Sequence, residues 1–468
     1  MSEIPMPLKI ADSLTAFRTR LRFAPFDIST EEGRSMERQR RTFLTILADV
    51  FSKGCGFVVL ILTLRISLPY LGQERYGILA TIVSFANILV ALDLGIGNAL
   101  IGEVAKTTVT TQEGLSSLVS RAFWVLIVVG ALVTGILLMT SQVAPIAWAF
   151  KGANKASLLE VRSTLVIFAL IFGFSIPLGA IRNVYFGLQR GYIIHIVSSA
   201  SAIISLCLLY MVVHFHVGMP TFLFVGFGVR VLSGVILLSP HLLHGKITAF
   251  RWNYLFGKET QALLGVGGLF LLLQIGTMAG WGADSLILSS SIGPFAVVVF
   301  TLVDRAAQLI SIPLFIINKP LWATYAEALA RGDKAYIRRT LRNSILMTAF
   351  IAFTIASVLF LIRHPIFKFL SHGMVEIPMK FLIIYLLWMV IRSLGDCLAM
   401  YMNGVHVLKP QIILVLFFIT ISIPAKIYAS DKVGLSGFVV AAIASYFVAS
   451  IVPTFTFFRK QIFQFISN

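Results

Sequence analysis

Charge is scarce in this sequence. Asp, Glu, Lys and Arg make up 12% of 468 residues, against 58% hydrophobic residues. A soluble chain of that length needs far more polar surface than this to cover its core. The composition, with a mean hydropathy of +0.91, therefore excludes a soluble globular protein and implies a polytopic membrane protein. Acids are scarcer still, 20 against 38 bases, for a net charge of +18. Two readings account for the excess and can hold together: basic cytoplasmic loops under the positive-inside rule, and bases facing an anionic cargo. The three cysteines, Cys55, Cys207 and Cys397, each lie inside an apolar run and read as small core residues with no disulfide. There is no Gly-Lys-Ser/Thr phosphate loop, so no ATPase is expected. There is no Asp-x-Asp, and no gap between apolar runs is long enough for a catalytic domain. Glycosyltransferases and polymerases hold carboxylates for metal or acid–base work in a sizeable loop, so no enzymatic activity is expected. His214, His216, His241 and His244 have no acid or cysteine at ligand spacing. Neither a metal nor a cofactor is expected, and no nucleic-acid partner. The first 40 residues are polar without an early apolar stretch, so no cleavable leader is expected.

What the sequence has is apolar runs. They fall at 43–70, 77–101, 119–141, 162–186, 192–213 and 219–240, then, after a polar break, at 262–288, 294–321, 341–362, 379–403, 411–429 and 434–457. Each reaches the roughly 20 residues needed to cross about 30 Å of hydrocarbon. The spacing predicts about twelve membrane helices: a basic tail at 1–42, a first six-helix lobe at 43–240, a linker at 241–261, a second lobe at 262–458 and a short tail at 459–468. Within the first tail, Ile10, Leu14, Phe17 and Leu21 recur at helical spacing among bases. The pattern fits an interfacial helix or a disordered basic tail. With the N-terminus taken as cytoplasmic, the inside gaps hold twenty Lys and Arg and the outside gaps six, which places both termini in the cytoplasm.

The chain also repeats itself. Leu71-Gly72 answers Ile292-Gly293, Arg121 answers Arg342, Tyr185-Phe186-Gly187 answers Met402-Asn403-Gly404, and Val217-Gly218 answers Val433-Gly434. Each half has an even number of spans, so the halves enter the membrane in the same direction and enclose a central cavity between two like-oriented bundles.

Ionisable residues inside the runs are few, and charges at such depth mark an interior path or a pairing within the bundle. Asp49 and Lys53 are four apart, as are Arg392 and Asp396, a spacing that permits pairing within one helix. Asp304 and Arg305 are adjacent and diverge around their helix, so one of them meets another helix. Arg182 and Arg230 have no acid within four residues. Arg65 lies near the outer end of its run, where snorkelling to the interface accounts for it ahead of a functional role. Asp93 and Asp284 are available to pair with these arginines across helices. The functional reading of the bases Lys53, Arg65, Arg182, Arg230, Arg305 and Arg392 is a set of receivers for phosphate, whose oxygens match the guanidinium fork. Asp49, Asp93, Asp284 and Asp396 are candidates for ion coupling.

Three short stretches carry a family resemblance: Leu71-Gly72-x-Glu74-x-Tyr76-Gly77, Asp93-x-Gly95 ahead of Asn98, and Gly187-Leu188-Gln189-Arg190 after the fourth run. They resemble the polysaccharide transporter family, the O-antigen and exopolysaccharide repeat-unit flippases of Wzx type. That family shares a superfamily with the multidrug and toxin extruders and the lipid II flippases. The resemblance spans about 40–460 and is clearest in the first two helices. It implies an all-α membrane fold of two six-helix lobes around a central cavity, working by alternating access in the bacterial inner membrane. It also implies an undecaprenyl-diphosphate-linked oligosaccharide as cargo, moved from the cytoplasmic to the periplasmic leaflet, and partnership with a polysaccharide polymerase and a chain-length regulator. Cationic cavity residues of such proteins receive the diphosphate and sugars, a role that falls here on Arg182, Arg230, Arg305 and Arg392. The alternative is a multidrug cation extruder of the same superfamily, which needs unpaired acids in its lumen; a membrane glycosyltransferase or polymerase stands further off.

Overall fold

The computed structural model describes residues 26–27, 30–89, 95–107, 112–143, 149–151, 155–243, 247–257, 260–261, 265, 282–318, 321–330, 332–405 and 407–465. Among these, ten segments are long and apolar enough to cross a membrane. The first, Phe43–Ala86, has 44 residues and holds two of the expected spans. It belongs to α1 (Glu31–Leu89), which is broken at Gly72, where φ is 74° and ψ is 171°. Only glycine takes such a backbone without steric cost, so a chain apolar on both sides still turns there. The expected span at 262–288 falls mostly outside the described residues. So does the amphipathic stretch of the tail. α1 begins at Glu31, ahead of the apolar run expected to start at 43, so the end of the basic tail is the first turns of the first helix.

The remaining elements of the first half are α2 (Ile96–Thr107), α3 (Gln112–Val143), α4 (Lys155–Gly187), α5 (Gly191–His214), α6 (Met219–Leu223) and α7 (Val229–Leu243), with a π turn at Phe224–Gly228 joining the last two into one span. After the short α8 (Asn253–Phe256) come α9 (Asp284–Ser291), α10 (Pro294–Asn318), α11 (Leu321–Ala330), α12 (Lys334–Leu361), α13 (Arg363–Ser371), α14 (Met379–Gly404), α15 (Leu408–Val433) and α16 (Leu435–Tyr446). A second π turn, Phe447–Ile451, lies in the last span. Such turns break the i→i−4 ladder and often sit near functional positions.

Three packed cores are present among the described residues, the smallest a cluster around Tyr325, Tyr401 and Ile462 in the second half, and the two larger ones separate the halves. One runs from Leu71 through Ile181 to Leu238. The other runs from Ile287 through Phe381 to Ala442, and Leu64 and Leu68 of α1 belong to it. Toward Gly72 the first helix thus leaves its own half and packs on the second. Because lipid is as apolar as leucine, association between such helices rests on close packing and on polar groups satisfied locally. Thr134 Oγ1 donates to the Gly130 carbonyl at 2.8 Å and Ser67 Oγ to the Thr63 carbonyl at 2.6 Å. Large apolar side chains on the outer faces, Phe350 at 72% and Phe353 at 67% exposure among them, are the surface the lipid covers.

The lobes are clasped at one end. A Cβ on Gly77, at the start of the second arm of α1, would collide with the Pro294 carbonyl that opens α10. Lys151 Nζ donates to the Ser291 carbonyl at 2.9 Å and lies 3.6 Å from Asp431 Oδ1. Gln73 donates to the Met374 carbonyl. The sequence repeat is visible here in the backbone: Gly72 and its counterpart Gly293 both have positive φ, 74° and 127°, and each precedes the second helix of its half.

At the opposite end, the linker between the halves is tied to the start of α3. Trp124 Nε1 donates to the Thr248 carbonyl at 2.9 Å, the Thr248 amide donates to Ser120 Oγ at 2.8 Å, and Arg121 stacks 5.6 Å from the Tyr254 ring. Near the N-terminal end of α1, Glu37 accepts from Arg40 Nη2 at 2.8 Å, from Arg41 Nε at 2.7 Å and from the Phe26 amide at 3.1 Å. The Arg40 hydrogen bond, ahead of these others, holds the Glu37 carboxyl down at about 2.

Candidate functional site: a cationic cavity between the lobes

Two adjoining cavities of about 470 Å³ each lie between the halves. They share the side chains of Leu60, Arg305, Gln308, Ser311 and Arg392, so they are chambers of one central space. The first is lined by Lys53, Phe315, Asn318, Asp396 and Met400 besides the shared wall. These positions fall toward the tail-bearing end of α1 and the last turns of α10 and α14. The second lies deeper and is lined by Tyr76, Arg230, Asp284, Asp304 and Tyr385. Each chamber falls within the 300–1,000 Å³ range of small-molecule sites.

Helix geometry places these charges. Arg305 and Gln308 are three apart on α10 and share its cavity face. Asp304, next in sequence to Arg305, meets another helix: it accepts from Tyr385 Oη at 2.8 Å and from Gln308 Nε2 at 3.3 Å. Arg305 Nη1 is 3.8 Å from Asp304 Oδ2, too far for a hydrogen bond. Arg392 and Asp396 follow one another on the cavity face of α14. Arg230 reaches the second chamber from α7, just after the π turn. Among the described residues no carboxylate lies within salt-bridge distance of it.

Lys53 pairs with Asp49 at 2.7 Å, as the i,i+4 spacing allowed, and Asp49 also lies 3.7 Å from His195 Nδ1 on α5. The Lys53 ammonium sits 4.8 Å from the Phe315 ring across the gap between the lobes. Two of the proposed receivers stand elsewhere. Arg65 donates to the Phe369 carbonyl and stacks 4.1 Å over the Phe369 ring, a clasp to α13 of the second half. Arg182 lies on α4 outside the lining of both chambers. Asp93 is outside the described residues. Asp284, taken as a partner for Arg182, Arg230 or Arg65, is bound instead to Lys426 Nζ at 2.7 Å.

Lys426 escaped the reading of the sequence, although its signal was there: one base in the apolar run Ile421-Ser422-Ile423-Pro424-Ala425-Lys426-Ile427. Tyr385 and Gln308 were missed as well. Neither is conspicuous in sequence, since both follow from which face of α14 and α10 turns inward.

Comparisons with known proteins agree with this architecture. The family model for polysaccharide biosynthesis proteins matches residues 39–325. A protein of Yersinia pseudotuberculosis described as a putative O-antigen export protein is 22% identical over 406 residues, covering 82% of this chain and 88% of its own. Among solved structures, the inward-facing conformation of a multidrug resistance MATE transporter of the MOP superfamily superposes with a TM-score of 0.72 at 13% identity, covering 87% of this chain and 95% of that one. The lipid II flippase MurJ in an inward closed conformation gives 0.67 at 13% identity, covering 91% and 90%. At such identity the likeness shows the fold alone, an all-helical membrane architecture shared with these two structures. With a family model covering well over half its length and this two-lobed cavity, the chain belongs to the polysaccharide biosynthesis protein family.

Proposed function

We propose that this protein is a flippase for a lipid-linked oligosaccharide, carrying an undecaprenyl-diphosphate-linked saccharide unit of O-antigen or exopolysaccharide type from the cytoplasmic to the periplasmic leaflet. The observation that carries the reading is the sign of the cavity wall. Four bases line the two chambers (Lys53, Arg230, Arg305 and Arg392) against three acids (Asp284, Asp304 and Asp396). Two of those acids already have protein donors, Lys426 on Asp284 and Tyr385 on Asp304. A headgroup with two phosphates cannot cross hydrocarbon unaided; guanidinium groups in a hydrated chamber offset its desolvation with charge-assisted, bidentate hydrogen bonds. The description of the Yersinia relative, an export protein for O-antigen, supports the same cargo class.

In this reading the clasped end faces the periplasm and the end bearing the first chamber faces the cytoplasm, where cargo is loaded. Both termini are cytoplasmic, and the lipid tail stays in the bilayer. A cation extruder shares this fold but requires lumenal acids left open to its cargo. Two of the ion-coupling candidates are already paired, Asp49 with Lys53 and His195 and Asp284 with Lys426, which leaves Asp396 as the candidate on the described cavity wall open to such a cargo. The test is genetic and chemical together. Deleting the gene should abolish surface polysaccharide and accumulate lipid-linked saccharide on the cytoplasmic side, and the plasmid-borne gene should restore export. A deletion strain with normal surface polysaccharide and heightened sensitivity to cationic drugs would replace the flippase with the extruder.

A further inference from the structure

The buried pair between α9 and α15 asks for an explanation. Lys426 is 1% exposed and touches neither chamber; Asp284 is 16% exposed and forms part of the second chamber's wall. The ammonium is boxed from behind by aromatic rings, 5.3 Å from the centroid of Phe438 and 5.9 Å from that of Phe418. A pair of apolar side chains of similar volume would hold the two helices together as well as a buried ion pair does, or better. Stitching α9 to α15 is therefore a weak reason for this chemistry. What the ion pair supplies, and an apolar pair could not, is a carboxylate on the cavity surface whose charge is cancelled from behind. Asp284 Oδ1 accepts from Lys426. Among the described residues no protein donor reaches Oδ2.

We propose that the Asp284–Lys426 pair is a charge-neutral subsite for the hydroxyl groups of a saccharide, seated in the second chamber beside the arginines that take the phosphates. The proposal rests on the flippase reading and assigns the sugar end of the same cargo. A carboxylate is the strongest hydroxyl acceptor a side chain offers. Bare, it would repel the adjoining diphosphate and draw the Arg392 guanidinium of the same wall onto itself. Lys426 removes both effects while leaving the oxygen in place, which makes it a positioning residue and Asp284 the ligand-binding one. The charged and titratable neighbours suit a polar ligand: Asp304 and Arg305 on α10, Tyr385 and Arg392 on α14 and Tyr76 on α1 line the same chamber. Asp304 differs: its hydrogen-bond donors, Tyr385 and Gln308, are uncharged and themselves line the chamber.

The experiment measures binding to the purified full-length protein of farnesol, farnesyl diphosphate, and farnesyl diphosphate carrying one glucose, galactose or N-acetylglucosamine. Wild type should bind farnesyl diphosphate over farnesol, and at least one glycosylated probe more tightly still. D284N/K426M, which keeps the site neutral, should weaken the glycosylated probe about tenfold, the worth of one hydrogen bond to a charged acceptor, with the bare diphosphate within about twofold. K426M alone should weaken both probes, because the uncovered carboxylate repels the phosphates; K426R should restore both. If the double variant does not fold, D284E serves, since it keeps the ion pair and shifts the acceptor by one methylene; the sugar preference should fall while bare diphosphate binding holds. Wild type that does not prefer farnesyl diphosphate to farnesol refutes the flippase reading. Wild type that prefers it but shows no sugar preference, or variants that keep that preference intact, refutes the subsite and leaves the flippase reading standing.

Discussion

Arg230 offers the sharpest test of the cavity, because it projects into the second chamber without a carboxylate at salt-bridge distance among the described residues. Arg305 already shares its electrostatics with Asp304 at 3.8 Å, and Lys53 is committed to Asp49 at 2.7 Å. A guanidinium making charge-assisted hydrogen bonds to a phosphate contributes about 1.5–3 kcal/mol. Arg230→Ala should therefore weaken binding of farnesyl diphosphate by roughly 10- to 150-fold at unchanged affinity for farnesol. Arg230→Lys keeps the charge but loses the planar fork and should give an intermediate loss. In the deletion strain, surface polysaccharide should follow the same order. Arg182→Ala is the internal control: the side chain stands outside both chambers, so binding should stay within about twofold of wild type. If Arg230→Ala binds farnesyl diphosphate like wild type while correctly inserted, or if Arg182→Ala is the damaging variant, this assignment of the phosphate receivers is wrong.

Twin reporter fusions after Lys151 and after Lys334 should report periplasm and cytoplasm respectively; the reverse pattern overturns the orientation on which the direction of transport depends. Gly77→Val should leave the protein in the membrane at normal level but abolish export, since the added side chain is driven into the Pro294 carbonyl and holds the outer clasp apart; export at the wild-type rate would mean that this contact is dispensable. Gly72→Ala should lower the melting temperature in detergent, as forcing an alanine to φ 74° costs about 1–2 kcal/mol. For Glu37 the sign follows from a carboxyl held down at about 2 against an ordinary 4.5: its stabilising contribution is complete above about pH 4.5 and fades as pH falls toward 2. The melting difference between wild type and Glu37→Gln should shrink over that window, and a difference that stays constant from pH 7 to 3 would rule out the Glu37–Arg40 pair as its source.

Much of the architecture was legible because a bilayer imposes length and composition on anything that crosses it. The apolar runs marked the helices, and the Leu71-Gly72 and Ile292-Gly293 repeat marked two places where the backbone turns with positive φ. The break at Gly72 is also why the stretch Glu31–Leu89 is two helices, answering to two runs in the sequence. The candidate site was legible only in part. The i,i+4 rule found the Asp49–Lys53 pair, because it needs nothing but spacing along one helix. It could not find Asp284–Lys426, whose members are 142 residues apart, nor Asp304–Tyr385, which depends on how α10 meets α14. Arg182 and Arg230 looked alike in sequence, each an unpartnered arginine within an apolar run. What separates them is which side of its helix each occupies relative to a gap between lobes, and that is decided by tertiary packing. Arg65 was assigned two readings, and the stacking on Phe369 favours the structural one.

A count of charges also misjudges the field inside such a cavity. Four bases against three acids amounts to near neutrality, and a near-neutral lumen has no evident preference for an anion. The acids and bases are not equivalent, however. Lys426 stands behind Asp284, Tyr385 and Gln308 occupy Asp304, and the Lys53 and His195 side chains flank Asp49. Lys426 thus offsets the charge of Asp284 and Lys53 that of Asp49 at short range, and Tyr385 and Gln308 take up oxygens of Asp304, whereas Asp396, beside Arg392 on the wall of the first chamber, has no such partner among the described residues. The guanidinium groups of Arg230 and Arg305 sit on the cavity surface with no hydrogen-bonded carboxylate among the described residues, and their potential extends into the chamber. The preference for an anion comes from this unequal pairing. It follows that exchanging a partner, Lys426 or Tyr385, for an apolar residue should degrade diphosphate binding although neither side chain need touch the phosphate, whereas removing the carboxylate together with its partner should spare it.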